Sequence, residues 1–206
     1  MTARRTQAER TAATRAALVA AARPLFAARG FAGVGTDELA SAAGVTRGAL
    51  YHQFGGKEGL FEAVVQAVHG DVVDRLASAL GTGPQLDEGP GQPVPADLGS
   101  VIDAWLEVCT DDEVLQIALL EAPTALGWWR SREIARGNGM DLAAAVVQRI
   151  IDAGGVPAQP VWPLTHVLVA ALEEGALMVA RAEDRVAAAA EVRTALRTIL
   201  DALLRT

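Results

Sequence analysis

The chain has 206 residues, 51% of them apolar, a formal net charge of −7 and one cysteine, Cys109. That length and apolar content are enough for one large core or for a small domain joined to a larger one, which excludes a disordered chain. The lone thiol excludes an internal disulfide and, with no clustered histidines beside it, a thiolate metal site; it fits a reducing cytoplasm, with no metal or cofactor expected.

The charge is unevenly spread. Residues 1–60 hold eight basic and four acidic side chains, whereas residues 61–206 hold ten basic and twenty-one acidic ones. A basic head on an acidic body places any nucleic-acid contact in the head. Arg23 and Pro24 interrupt the first apolar stretch, so no signal peptide is expected, and no run is read as approaching the ~20 apolar residues that cross a bilayer, so no membrane partner is expected.

In chain order, Thr6 and Glu9 form a capping box that opens a first helix, closed by Gly30. Its buried stripe is Leu18, Ala21, Ala22, Leu25 and Phe26, with a kink or local distortion expected at Pro24. Two short helices follow, near 36–43 and 46–52, around Gly44-Val45. A long helix then runs from Lys57 to Leu80 with Leu60, Val64, Val68, Val72, Leu76 and Leu80 in one row. Residues 81–95 hold four glycines and four prolines and read as a flexible loop. Further helices are expected near 96–109, 111–121, 126–153, 163–182 and 184–204. Alternating β-branched runs are nearly absent, so the fold class is all-α.

The informative stretch is Thr36 to Leu60, TDELASAAGVTRGALYHQFGGKEGL. Two short helices joined at Gly44 are the minimum for a helix-turn-helix, with Leu39, Ala43, Val45, Leu50 and Phe54 as its small core and Ala40 at the crossing. Thr46, Arg47, Gly48, Tyr51 and His52 remain outward on the second helix, where they can face bases or phosphates. Lys57 in the first turn of the long helix opposes the macrodipole unless an anion is near, and a DNA phosphate would supply one. Arg4, Arg5 and Thr36 complete the candidate DNA-facing set.

The run G-V-T-R-G-A-L-Y-H-Q-F-G-G-K-E-G-L-F resembles the DNA-binding region of the tetracycline-repressor (TetR) family over about residues 8–68. Thr46, Arg47, Gly48, Tyr51, His52 and Lys57 fall where that family contacts DNA, and Phe31, Leu39, Val45, Leu50 and Phe54 where it builds its core. Gln53 and Gly59 depart from the pattern; the second is expected to loosen the start of the long helix. The resemblance implies an N-terminal three-helix DNA-binding domain over 1–60 and a helical ligand-sensing and dimerisation domain over 61–206. It also implies homodimerisation through the last two helices, binding to double-stranded palindromic operator DNA, and release by a small-molecule effector.

Within the second part, Trp105, Trp128, Trp129, Met140 and Trp162 supply most of the large aromatic and thioether surface, with His166, Glu173 and Glu174 as polar anchors; the tryptophans either line a pocket or pack the core. A ligand is expected beside Val68, Val72 or Leu76 of the long helix. Leu168, Leu172, Leu196 and Leu200 are the candidate dimer interface, although the last two helices either pack wholly within the protomer or pair with a second copy. No HExxH, Cys/His ligand spacing, phosphate loop or nucleophile elbow is present, so an enzyme is not expected. A DNA-binding activator or architectural protein without a ligand is the alternative, distinguished by whether the second part holds a sizeable, mostly apolar pocket.

Overall fold

The computed structural model describes residues 6–79, 98–109, 111–152, 154 and 156–204, all of whose regular elements are helical. Arg4, Arg5 and the expected loop 81–95 lie outside the described residues. The helices are α1 (Gln7–Arg29), α2 (Thr36–Ala42), α3 (Arg47–Phe54), α4 (Lys57–Ala79), α5 (Leu98–Cys109), α6 (Asp112–Val114), α7 (Ala122–Ala125), α8 (Trp128–Ala135), α9 (Asp141–Asp152), α10 (Val161–Arg181) and α11 (Arg185–Leu204). Two π-helical segments, Leu115–Glu121 and Arg136–Met140, continue α6 into α7 and α8 into α9. Their wide turns are absent from the sequence expectation.

The chain divides into two compact units. The first comprises the described residues up to Val68 together with Gln116–Arg132; the second comprises His69–Leu115 and the described residues from Glu133 onward.

In the first unit, α1 begins as its capping box dictates. The Thr6 hydroxyl accepts the Glu9 N–H at 3.2 Å and the Glu9 carboxylate accepts the Thr6 N–H at 2.6 Å. The helix continues through Pro24. Pro24 and Ala20, whose carbonyl loses its partner to the ring, are both exposed, so water replaces the missing donor. Leu18, Ala22 and Phe26 are buried, as are Leu39, Ala40 and Leu50 of the helix pair and Leu60, Phe61, Val64 and Val65 of α4. Phe26 meets Phe61 edge-on at 5.0 Å, and Phe31 lies 5.1 Å from Phe61. Offset and edge contacts of this kind add to area burial.

In the second unit, α10 packs on α11, α9 and α5, and α11 also packs on α5. One core cluster joins Ile102 and Leu106 of α5 to Val179, Val192 and Leu196 of α10 and α11; a second joins Val146, Ile150 and Val156. Asp111 caps α6 by accepting the Glu113 N–H at 3.0 Å, and its bond from Arg75 at 2.8 Å holds its carboxyl below the usual carboxylate range.

Helix α10 corrects one expectation. Its most apolar 18-residue window has a mean hydropathy of 1.3, and the helix, 21 residues in all, is long and apolar enough by length and composition to cross a bilayer. It carries Glu173 and Glu174, and it buries Thr165, Gly175, Ala176 and Val179, three of which are small enough to let neighbouring helices approach.

Gly59 also departs from expectation. A Cβ there would overlap the Phe54 carbonyl oxygen, so the glycine permits the close return of the chain from α3 to α4 and does not loosen it. Gly59→Ala is expected to destabilise the protein by roughly 1–3 kcal/mol through this overlap, despite alanine's advantage of about 1 kcal/mol in a helix. Urea denaturation of the two proteins checks the sign; a stabilised variant would show that propensity outweighs the contact.

Candidate nucleic-acid interface and an apolar cavity

The turn between α2 and α3 is set by Gly44, whose φ of 66° lies in the left-handed region, and by the Val45 N–H donating to the Ala40 carbonyl at 3.0 Å. Thr46 then caps α3, its hydroxyl accepting the Ala49 N–H at 3.2 Å. With Leu50 buried beneath, Arg47, Gly48, Tyr51 and His52 are all exposed. The second helix of the motif therefore presents one guanidinium, one phenol and one imidazole to solvent beside a glycine that keeps the outer face of its first turn low. Thr36, the first residue of α2, is half-buried. The Arg47 Nη1 lies 3.4 Å from the Asp37 carboxylate and its guanidinium 5.5 Å from the Tyr51 ring centre. Its hydrogen bond with Tyr51, followed by the Asp37 charge, raises its pKa.

Lys57 has a different environment from the one expected. Its ammonium donates to the carbonyls of Phe31 at 2.9 Å and Val34 at 3.0 Å, and lies 4.2 Å from the Phe31 ring centre. The oxygen partners that offset its unfavourable position at a helix start are thus supplied by the α1–α2 loop of the same chain. Two further ties escape sequence reasoning. Arg15 donates to the Gln53 carbonyl at 2.7 Å and covers the Phe54 ring at 4.1 Å, fixing α1 to the end of α3. Glu121 accepts the Phe31 N–H at 3.0 Å across 90 residues of sequence.

The second unit holds a partly open cavity of about 170 Å³. His69, Val72, Val73 and Leu76 of α4 form one wall, and Trp105, Met140, Thr165, Leu168, Leu172, Glu173 and Leu200 are among the residues that close it. The polar handles of two lining residues are occupied: the Trp105 indole N–H donates to the Leu172 carbonyl at 2.9 Å, and the Thr165 hydroxyl donates to the Val161 carbonyl at 2.9 Å. His69, missed in the sequence because one histidine on an apolar helix carries no local signal, has a buried Nε2 with no hydrogen-bond partner among the described residues. Burial alone lowers its pKa to about 4, which leaves the imidazole neutral near pH 7.

Of the expected ligand contacts, Trp105, Met140 and Glu173 line the cavity, and of the expected α4 positions Val72 and Leu76 do. Trp128, Trp129, Trp162 and His166 do not. Trp128 and Trp129 are 56% and 84% exposed, Trp128 lying beside the Arg132 guanidinium. Trp162 and His166 are exposed on the first turns of α10, their ring centres 6.2 Å apart. Val68 is buried in the first unit. The expected dimer residues Leu168, Leu172, Leu196 and Leu200 all border the cavity, and Leu196 belongs to the core cluster with Ile102 and Leu106. The apolar partner of α11's inner face is α5 of the same chain.

The lowered pKa of His69 carries a pH dependence of defined sign. Unfolding releases a neutral imidazole into water, where it binds a proton below about pH 6.5, so the native state loses stability as pH falls from about 6.5 toward 4. Between pH 7 and pH 5 the wild type is expected to lose about 1–2 kcal/mol more than His69→Gln. Parallel denaturant titrations of both proteins test this, and equal losses would count against a neutral His69.

Residues 96–203 match the family described as tetracyclin repressor-like, C-terminal domain, and residues 18–64 match bacterial regulatory proteins, tetR family. A TetR-family transcriptional regulator from Pectobacterium atrosepticum, known as a crystal structure, is 32% identical and superposes with a TM-score of 0.77 over 98% of this chain and 99% of its own. The probable HTH-type transcriptional regulator ArpR of Pseudomonas putida is 39% identical over 84 residues, which span 41% of this chain and 39% of that relative. RolR, solved in complex with resorcinol, shares the fold at 21% identity, with a TM-score of 0.68 over 94% of this chain and 96% of its own. The helix-turn-helix of the first unit and the helical second part both fall within these matches, and the chain belongs to the TetR family of transcriptional regulators.

Proposed function

We propose that the protein is a cytoplasmic repressor that binds a palindromic operator as a homodimer and releases it when a small molecule occupies the cavity of the second unit. The observation that carries this reading is the composition of one helix. Along α4, Leu60, Phe61 and Val64 belong to the core beneath the helix-turn-helix, and His69, Val72, Val73 and Leu76 form a wall of the cavity. A ligand that favours one placement of the later turns acts on the earlier ones through a continuous hydrogen-bonded rod. The occupancy of RolR by resorcinol supports a small-molecule effector in this fold. Linkage requires operator and effector to weaken one another by the same factor, about five- to 150-fold for a coupling of ~1–3 kcal/mol.

On the DNA side, Arg47 is the base-reading candidate, flanked by Thr46, Tyr51 and His52 as phosphate contacts. Arg47→Ala is expected to lose about 1–3 kcal/mol of discrimination between the operator and a site altered at one guanine. Selection of bound sequences followed by fluorescence anisotropy measures this. A variant that weakens all sequences equally would move Arg47 to the phosphates.

The dimer is assigned to the outward faces of α10 and α11. Val167 and Met178 are 66% and 58% exposed and Val186 83% exposed, and a two-fold contact needs one self-complementary patch on each copy. Met178→Lys combined with Val167→Glu is expected to shift sedimentation from dimer to monomer and to abolish two-half-site operator binding. An unchanged dimer would place the interface elsewhere.

A further inference from the structure

The chemistry of the cavity narrows what it takes, and this narrowing rests on the effector role proposed above. Ligand sites with mostly apolar walls usually keep a few placed polar groups that orient the ligand. Few of them remain here. Every described lining residue lies in a helical segment, whose N–H and C=O groups pair along the helix axis and are not turned toward the wall. Among the side chains, the Trp105 indole N–H is committed to the Leu172 carbonyl, and the hydroxyl of the wholly buried Thr165 to the Val161 carbonyl. The His69 Nε2 is shut off from solvent. None of the described lining residues is a lysine or arginine, so an anion finds no counter-charge. Glu173, the acidic residue of the wall, is already engaged within the chain, so a cation would have to displace an existing interaction.

We infer that the cavity selects an uncharged, hydrocarbon-like molecule, held by apolar contact with residues such as Val72, Leu76, Trp105, Met140 and Leu168 and not by a charge or a hydrogen bond from the wall. An ion that entered would give up hydration that these residues do not replace. A hydroxyl would lose less, and a hydrocarbon gains from all the apolar area removed from water. Met140 adds an adaptable surface, because an unbranched thioether can follow the outline of different occupants. The cavity is partly open, so selection falls on the polarity of the occupant and leaves its length free.

The test uses the full-length protein and four probes of matched shape that differ in their terminal group: ethylbenzene, benzyl alcohol, benzylammonium and benzoate. Each is short, so an ionic group cannot trail into solvent while the ring stays on the wall. Calorimetry on the unaltered protein is expected to show ethylbenzene binding about tenfold more tightly than benzyl alcohol, and benzyl alcohol about tenfold more tightly than either ion. Tryptophan emission then locates the site. The chain holds four tryptophans; Trp105 lines the cavity, whereas Trp128, Trp129 and Trp162 are exposed. With those three replaced by phenylalanine, ethylbenzene is expected to shift the emission of Trp105 with the Kd found by calorimetry. Ala143→Phe, which adds a ring at a lining position, is expected to weaken ethylbenzene about tenfold by removing apolar area open to it. Because the order of affinities is read on the wild type, the test survives a variant that fails to fold. Absence of ethylbenzene binding, equal or tighter binding of benzyl alcohol, an ion that matches benzyl alcohol, or unmoved Trp105 emission would each overturn the assignment. Operator anisotropy separates this from the broader role. Ethylbenzene that binds beside Trp105 without changing operator affinity leaves the ligand class standing and removes the effector function, whereas release of operator by an ion that binds the cavity more tightly than ethylbenzene does the reverse.

Discussion

The loop between α1 and α2 is held by two opposite charges acting on one residue. The Phe31 N–H donates to the Glu121 carboxylate, the Phe31 carbonyl accepts from the Lys57 ammonium, and the Phe31 ring packs between Phe26 and Phe61. A loop in a partly buried position has no ladder to satisfy its backbone, so each unpaired N–H or C=O would cost about 1–3 kcal/mol. Charged partners meet that demand with stronger bonds than neutral ones. They also fix where α2 and α3 stand on α1 and α4, because the Val34 carbonyl, just before α2, shares the same ammonium. The geometry of the DNA-facing helix therefore depends on a clamp that touches no exposed residue of that helix. Arg130 adds a second tie from the same distant segment, pairing with Glu62 of α4.

The clamp has a consequence for the DNA face. An ammonium held by two carbonyls and an aromatic ring is a constituent of the scaffold, and it leaves the positive charge on the outer face of α3 to Arg47. Arg47 is itself paired with Asp37, but at 3.4 Å between side chains that are 57% and 78% exposed. Such pairs contribute about 0–1 kcal/mol. A guanine edge or a phosphate offering short, bidentate bonds would outcompete so weak an exposed pair. Charge is therefore divided by burial: the half-buried cation builds the head and the exposed one is available for recognition.

What the sequence discloses here is local. The capping box, the stripe Leu18, Ala22 and Phe26, the α4 row and the Gly44 turn depend on spacing within one or two turns of helix, and periodicity reports them directly. The inner faces of α10 and α11 are equally visible as apolar rows. Nothing in the rows distinguishes a partner helix in the same chain from one in a second copy, and α5, which supplies Ile102 and Leu106 to Leu196, lies about ninety residues upstream. Residue type misleads in the same way for the tryptophans. Trp128, Trp129 and Trp162 share their chemistry with Trp105, yet among the described residues only Trp105 has a carbonyl within reach of its indole N–H and a cavity beside its ring. His69 is the converse case, a side chain with no motif whose significance comes wholly from what surrounds its Nε2.

The π-helical segment Leu115–Glu121 shows how a backbone irregularity places a functional contact. Gln116 Nε2 donates to Glu121 Oε1 at 3.1 Å, a pairing of residues five apart. In an α-helix of 3.6 residues per turn, five residues advance about 500°, which puts the two side chains roughly 140° apart around the axis. In a π-helix the backbone repeats between residues i and i+5, and the two side chains share a face. Gln116 can therefore steady one oxygen of Glu121 only while the wide turn persists, leaving the other for the Phe31 N–H. Tightening this segment to α geometry would rotate Glu121 away from Gln116, remove the carboxylate from the α1–α2 loop, and leave the N–H of Phe31 without its partner. The chain passes from the cavity-bearing unit to the DNA-binding unit between Leu115 and Gln116, at the first residues of that turn. A π-helical segment thus coincides with the contact on which the placement of the helix-turn-helix depends.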